Sequence, residues 1–160
     1  MKKTLLLCLV TLMLVACGAK QAPSKSRMAV CVGQNGNSDF VFTTISDDED
    51  KKLKYFSLST VYTIGTANPE TTLKNFQDWA KPLDGVAGVS YRITLTPDKT
   101  KVNRILEFDM AKFDYAAYQA LGPDWGISWL DDYVDRAVNG SSDDFVDVIA
   151  KYANFTCSGK

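Results

Sequence analysis

Apolar and polar residues alternate along several stretches of this 160-residue chain, and that period of two constrains its fold more than any other feature. The longest such stretch runs from Leu53 to Thr66. The residues on one side of it are mainly apolar: Phe56, Leu58, Tyr62 and Ile64. Serine and threonine dominate the other side, at Ser57, Ser59 and Thr63. This contrast predicts a β-strand in a sheet that buries one face.

Four further stretches predict an antiparallel sheet of about five strands, the first as a short apolar run and the other three by the same alternation. They lie at residues 28–32, 40–45, 91–95 and 102–108. Turn-forming sequences separate them, with Asn35-Gly36 after the first and Pro97-Asp98 between the last two. Strands joined by short turns of this kind form hairpins, so neighbouring strands are expected to run antiparallel.

Segments with a helical period complete the predicted fold. Asn68 can cap a helix that begins with Pro69, and Asp114 can cap a short helix that follows the last hairpin. Ser128 precedes a helix with a wide apolar stripe, and one of the serines at 141–142 begins the last helix. This order of hairpins and helices predicts an α+β fold, in which the helices pack on one face of the antiparallel sheet.

The first sixteen residues have the pattern of a bacterial lipoprotein signal peptide. Two lysines precede an apolar run from Leu5 to Val15, which is shorter than the roughly 20 residues that a bilayer span requires. Ala16 and Cys17 then match the lipobox, at which the leader is cleaved and the cysteine takes lipid. We therefore predict a signal peptide at residues 1–16 and lipidation of Cys17. The alternative is an ordinary signal peptide in which Cys17 has no special role.

Residues 17–27 are expected to form a lipidated, flexible tether, and residues 28–160 a single α+β domain. The tether is small and polar, with Pro23 and two serines. Each buried methylene of an acyl chain contributes about 0.8 kcal/mol, so two or three chains on one cysteine hold a protein at a membrane without spanning it. Loss of the leader, with Lys2 and Lys3, would take the net charge from −1 to −3.

Two cysteines remain in the predicted domain after Cys8 leaves with the leader and Cys17 takes lipid. They are Cys31 and Cys157, 126 positions apart. An exported protein with two remaining cysteines most simply pairs them, which would join the C-terminal tail to the first strand. The alternative is two buried free thiols. A disulfide would also favour an oxidising periplasm, and two thiols without histidine cannot form a tetrahedral zinc site.

Composition excludes several classes of function. The chain has no histidine, which removes the commonest general base and metal ligand, and its near-neutral charge argues against a nucleic-acid partner. The acidic runs have simpler explanations than a metal site or a catalytic pair: residues 47–50 as a hairpin tip, and Asp131, Asp132 and Asp135 as a solvent-facing helix stripe. We therefore assign no catalytic residue, metal or cofactor.

Aromatic residues are concentrated between positions 115 and 133. They are Tyr115, Tyr118, Trp125, Trp129 and Tyr133. Tyrosine and tryptophan combine large contact area with a polar group, so they recur at binding surfaces. They also fill the space between helices and sheets, and both explanations remain open from the sequence. If the region binds a ligand, the candidate residues are Trp125, Trp129 and Tyr133.

The segment from Asn68 to Leu121 resembles the YehR-like bacterial lipoproteins, a family whose function is not established. The resemblance is carried by residues 85–89 (GVAGV), 106–110 (LEFDM), 112–115 (KFDY) and 126–128 (GIS). Together with the lipobox it covers much of the chain. It implies a lipid-anchored envelope protein, and it transfers no catalytic residue.

The leading expectation is a membrane-anchored envelope lipoprotein that binds or scaffolds a partner and is not an enzyme. The partner classes considered are an envelope protein, a peptide and a glycan, besides the membrane that holds Cys17. The alternatives are a binding module for an extracytoplasmic small ligand, glycan or peptide, and an envelope hydrolase without a recognisable motif. We expect the domain to face the periplasm, and favour the outer membrane over the inner.

Overall fold

The computed structural model describes residues 25–122, 128–151 and 155–159, without the side chains of Ser128 and Trp129. The predicted signal peptide and Cys17 therefore lie outside the described residues. Those residues hold six strands: β1 (Ser26–Asn35), β2 (Ser38–Asp47), β3 (Leu53–Thr63), β4 (Val89–Leu95), β5 (Lys101–Asp109) and β6 (Thr156–Ser158). The same part of the chain holds four α-helices, which are α1 (Pro69–Ala80), α2 (Tyr115–Gln119), α3 (Ser128–Asn139) and α4 (Ser142–Lys151), and a 3₁₀ helix (Lys81–Gly85) follows α1.

The strands form one antiparallel sheet in the order β4-β5-β3-β2-β1-β6. The predicted α+β class is confirmed, with six strands where about five were predicted. The additional strand, β6, has three residues and pairs with the outer edge of β1. Helix α1 connects β3 to β4, and the β4–β5 hairpin then places β5 beside β3.

One face of the sheet carries the core, as the alternation in β3 predicts. Phe56 is fully buried and stacks on Phe108 of β5, with ring centroids 4.2 Å apart. Phe145 of α4 lies 5.2 Å from Phe56 across the interface between helix and sheet. Leu130 and Val134 of α3 are also fully buried in this cluster. Burial of these side chains is the main attraction between the helical layer and the sheet.

A second core cluster lies beneath α1 on the same face. Its buried members are Ile64, Ala80, Ile93 and Val102. Phe76 of α1 packs against this cluster, and the Arg104 guanidinium carbon lies 4.2 Å from the centre of its ring. This arrangement provides a cation–π contact for an arginine on the covered face of the sheet. Burial lowers the pKa of the Arg104 guanidinium.

The predicted caps of α1 and α2 are present. The Asn68 side chain accepts a hydrogen bond from the Thr71 N–H at 2.9 Å, with Pro69 in the first helical turn. Asp114 caps α2 in the same way, accepting from the Ala117 N–H at 2.9 Å. Such caps satisfy backbone donors that have no partner within the helix, and each is typically worth about 1 kcal/mol.

A tight corner joins the start of β4 to the end of β5 and the start of α2. Gly88 has a φ of +78°, and a Cβ atom there would lie 2.5 Å from the backbone nitrogen of Phe113. Backbone bonds close the corner, from the Asp109 N–H to the Gly88 carbonyl at 2.8 Å and from the Asp114 N–H to the Ala87 carbonyl at 3.0 Å. Residues from three of the segments that resemble the YehR-like family meet here, which gives those segments a structural role.

We expect Gly88→Ala to lower the free energy of unfolding by about 2–4 kcal/mol, because it combines a strained left-handed backbone with a backbone clash. Chemical denaturation monitored by circular dichroism measures this loss. Gly65→Ala is the matched control, since Gly65 has a φ of +65° but no atom within 4 Å of its added Cβ. In the control the free energy of unfolding should fall by about 1–2 kcal/mol, the cost of the left-handed backbone alone. Equal losses in both variants would contradict the close approach at Gly88.

Candidate functional site

The predicted disulfide is present between Cys31 and Cys157. The two residues are register partners in the β1–β6 ladder, so the bond links the last strand to the first one. Cys31 is 2% exposed and belongs to the larger core cluster. The bond therefore secures the C-terminal strand to the sheet beside that core.

The structure describes the side chain of one of the three candidate aromatic residues, Tyr133. Tyr133 is 3% exposed, and its ring packs edge-on against Phe42 at 5.3 Å and against Phe145 at 6.1 Å. It is thus part of the core between α3 and the sheet. Trp125 lies outside the described residues, and the side chain of Trp129 does too. Tyr118 is buried as well, in edge-on contact with Phe108 and Phe113.

A groove of about 380 Å³ opens between α2 and the first turns of α3. Its lining residues are Tyr115, Tyr118, Gln119, Gly122, Asp131, Asp132 and Asp135. We call this the tyrosine–aspartate groove. Its volume falls at the lower end of the range usual for ligand pockets, about 300–1,000 Å³. Asp132 and Asp135 are exposed, and Asp131 is half-buried.

Hydrogen bonds between the two helices organise this groove. The Tyr118 hydroxyl donates to Asp131 Oδ1 at 2.8 Å, and the Tyr115 hydroxyl donates to Asp135 Oδ1 at 2.7 Å. The Asn139 side chain donates to the same Asp135 oxygen at 2.8 Å. Two carboxylates of the groove are thus held in place by neutral donors. Its lining, as far as the described residues form it, contains no lysine or arginine, so its chemistry suits acceptance of hydrogen bonds from a donor group.

Both tyrosines are held in the protonated form. Burial raises the pKa of the Tyr118 hydroxyl, and the hydrogen bond to Asp131 adds to that effect. For Tyr115 the hydrogen bond to Asp135 is the larger cause of its raised pKa, followed by burial. The phenols therefore act in this groove as hydrogen-bond donors, each to a carboxylate of α3.

We expect Tyr118→Phe to lower the free energy of unfolding by about 1 kcal/mol at neutral pH, because Asp131 loses a donor. The pKa of Tyr118 is higher in the folded than in the unfolded state, so its contribution is complete below about pH 10 and is lost as the pH rises further. The variant should therefore lose stability less steeply than the wild type above that pH. Urea denaturation at several pH values measures both effects.

Tyr91→Phe is the control for this test, because the Tyr91 hydroxyl also bonds to a carboxylate, Asp84, at 2.9 Å. The Tyr91 ring is half-buried, whereas that of Tyr118 is buried. The Tyr91 variant should therefore change the pH dependence of the free energy of unfolding at alkaline pH by less than the Tyr118 variant does. If the free energy of unfolding fell equally steeply with rising alkaline pH in the wild type and in Tyr118→Phe, the Tyr118 hydroxyl would not be buried as described.

The acidic run at residues 47–50 forms the hairpin connection between β2 and β3, as predicted. The Asp47 carboxylate accepts the Glu49 N–H at 2.9 Å, and Asp50 accepts the Lys52 N–H at 2.9 Å. Asp47 also forms an ion pair with Lys54 at 2.8 Å. Within residues 25–122, 128–151 and 155–159, no group of three potential ligands is arranged to hold a metal ion.

Sequence reasoning did not predict the tyrosine–aspartate groove. It placed Asp131 and Asp135 on a solvent-facing stripe and weighed Tyr115 and Tyr118 only as aromatic rings. The helical spacing of the two aspartates, four residues apart, was the available signal for a shared face. Their tyrosine partners lie 13 and 20 residues away on another helix, where no local pattern indicates the contact.

Comparison with known proteins shows the fold. The sequence matches no protein-family model, and no curated protein matches it. The NMR structure of the E. coli YehR protein superposes with a TM-score of 0.65 and 20% sequence identity, over 86% of this chain and 94% of that one. The NMR structure of a protein from Streptococcus pneumoniae TIGR4 has a TM-score of 0.58 and 13% identity, over 88% of each chain. The chain therefore has a YehR-like α+β fold.

Proposed function

We propose that this protein is a lipid-anchored, non-catalytic binding protein of the bacterial cell envelope. In this proposal acyl chains on Cys17 hold it at the membrane, and the domain faces the periplasm. The observation that carries the proposal is the Cys31–Cys157 disulfide, because such bonds persist in oxidising compartments outside the cytoplasm. The leader and lipobox at residues 1–17 supply the route to that compartment. Among the described helices, none is both long and apolar enough to cross a bilayer.

Binding is favoured over catalysis by the chemistry of the tyrosine–aspartate groove. Two of its carboxylates, Asp131 and Asp135, accept hydrogen bonds from tyrosine and asparagine, and the chain contains no histidine to act as a base. Carboxylates held in place by neutral donors are suited to recognition, since their remaining lone pairs can accept bonds from an incoming group. The groove also supports the second candidate, a binding module for an extracytoplasmic small ligand, peptide or glycan.

We favour the outer membrane over the inner as the site of anchoring. A bacterium with a periplasm has an oxidising compartment between its two membranes, which suits a domain that carries a disulfide. A domain on a lipid tether remains in that compartment from either membrane. Separation of the membranes by density would assign the location directly.

Substitution Cys17→Ser should abolish membrane retention of the mature protein. Without the thiol no acyl chain can be attached, and the remaining interaction with lipid loses about 0.8 kcal/mol for each methylene that is no longer buried. Fractionation of the bacterial envelope, together with intact mass, measures both consequences. The mass of the wild-type protein should show loss of residues 1–16 and the addition of acyl chains.

The matched control is Cys8→Ser, which changes a cysteine of the same leader outside the lipobox. It should be processed, acylated and retained as the wild type is. Normal acylation and retention of the Cys17→Ser variant would refute the anchor. A wild-type protein that keeps residues 1–16 and remains in the cytoplasm would refute the proposal as a whole.

A further inference from the structure

The face of the sheet opposite the helices is apolar in its β1–β2 half. We call this side the open face. Four large hydrophobic side chains are exposed among the described residues, and three of them lie here: Met28 at 60%, Val32 at 48% and Val41 at 36%. Val32 and Val41 are register partners across the two strands, and Met28 is the partner of Ile45. We call Met28, Val30, Val32, Val41 and Ile45 the apolar strip.

Charge is sparse around the apolar strip. Asp39 and Asp47 are the charged open-face residues of β1 and β2, at opposite ends of β2. Asp47 forms an ion pair with Lys54, and its side chain is only 16% exposed. The β4–β5 half of the same face is different, since it carries Arg92, Lys101 and other polar residues. The open face therefore has an apolar half and a polar half.

The position of the chain preceding β1 indicates what covers the apolar half. Ser26, the first residue of β1, lies nine positions after Cys17. Even fully extended, nine residues span at most about 30 Å, so lipid on Cys17 would keep the start of β1 close to the membrane. Met28 follows two residues later. A tether of this length holds the apolar strip at a high effective concentration relative to the bilayer.

The charge of the same segment points to the same occupant. Residues 17–38 contain Lys20, Lys25 and Arg27 and no acidic residue. Arg27 lies on the helix-covered side, in an ion pair with Asp143 at 3.3 Å, but Lys25 is exposed. Basic residues beside a lipid anchor are attracted to anionic lipid headgroups. An apolar surface next to a basic segment combines the two attractions that hold proteins at a membrane interface.

We propose that the apolar strip is a membrane-docking surface, and that the bilayer holding the acyl chains of Cys17 is its occupant. The domain then lies with the β1–β2 half of the open face against the headgroups. The helices α2 and α3 cover the other face of the sheet, so the tyrosine–aspartate groove is directed away from the membrane. This inference rests on the proposed lipid anchor, and it adds an orientation to that anchor.

A test with a chemically supplied tether separates this inference from lipidation in the cell. Every described element follows residue 24, so the chain from Cys17 to Lys160 retains the fold, and Cys17 is its one free thiol while the disulfide is intact. A maleimide phospholipid coupled to Cys17 anchors this chain in nanodiscs of phosphatidylethanolamine and phosphatidylglycerol. That chain has only two methionines, Met28 and Met110, so methyl labelling of methionine gives one reporter on the apolar strip and one packed against the core.

Nitroxide-labelled lipid in the nanodisc should remove most of the Met28 methyl signal and leave most of the Met110 signal. Val41→Asp should restore the Met28 signal, because a charge on the strip opposes docking. Val138→Asp should leave the loss of the Met28 signal unchanged. Val138 is as exposed as Val41, at 36%, but it lies on α3 and not on the open face. A soluble gadolinium chelate should broaden Met28 less in nanodiscs than in the uncoupled protein.

Equal broadening of Met28 and Met110 by lipid nitroxide would overturn the inference. So would a Met28 signal protected from both the lipid nitroxide and the chelate, because another protein molecule would then cover the strip. Failure of acylation in cells would be seen instead in the Cys17→Ser and intact-mass experiment. The two proposals can therefore fail separately.

Discussion

Removal of the Cys31–Cys157 disulfide is expected to lower the free energy of unfolding by about 4 kcal/mol, within the usual range of about 2–5 kcal/mol for native disulfides. The bond closes a loop of 126 residues, so it restricts the unfolded chain strongly. The double variant Cys31→Ala/Cys157→Ala avoids placing a polar group at the buried position 31. Urea denaturation of this variant and of the oxidised wild type, both as the chain from Cys17 to Lys160, measures the difference.

A reductant provides the control for this prediction. It should destabilise the wild type by about as much as the double substitution does, and it should leave the double variant unchanged. Among the described residues β6 pairs with β1 through three positions, 156–158, so amide exchange should accelerate first in those residues. Two free thiols in the exported wild-type protein, or a stability independent of reductant, would contradict a native disulfide.

The sheet and its buried face could be predicted because the signal is local. In β3, buried Phe56 and Leu58 alternate with more polar neighbours, and a period of two assigns sides to a strand without knowledge of its partners. The strand order could not be read in the same way. β5 lies between β3 and β4 because α1 carries the chain across the sheet, and only packing determines where it returns.

Short and non-local features escaped prediction for physical reasons. β6 is too short to show a period, and it depends on the Cys157 bond and on pairing with β1. The groove depends on contacts between helices, such as the bond from Tyr118 to Asp131, which sequence spacing does not encode. Glycine often ends a helix in a left-handed conformation, but Gly140, which follows α3, does not. Its N–H bonds to the Arg136 carbonyl at 2.8 Å, and its φ is not in the left-handed region.

The segments that resemble the YehR-like family illustrate how a sequence resemblance can report structure. Gly88 allows close approach to Phe113, and Asp109 and Asp114 bond to the backbone of the same corner. The requirement for glycine follows from its φ of +78° and from the lack of space for a Cβ atom. Gly88, Asp109 and Asp114 maintain this corner of the fold, and none of the three lines the tyrosine–aspartate groove.

Substitution Phe108→Ala should lower the free energy of unfolding by about 3–5 kcal/mol, the range found when a large aromatic side chain is deleted from a packed core. Phe108 is fully buried and contacts the rings of Phe56, Phe113 and Tyr118. The cavity left behind would therefore border both the sheet and α2. Urea denaturation followed by circular dichroism measures the loss, and the exchange rates of the α2 amides measure its local consequence.

Phe108→Leu and Val41→Ala are the controls for this prediction. Phe108→Leu keeps much of the buried volume and should lose clearly less than Phe108→Ala. Val41 is 36% exposed on the open face, so its truncation should change stability by no more than about 0.5 kcal/mol. If Phe108→Ala cost no more than Val41→Ala, the stacked pair with Phe56 would not lie in a packed core. The helical layer that carries the tyrosine–aspartate groove would then lack its principal attachment to the sheet.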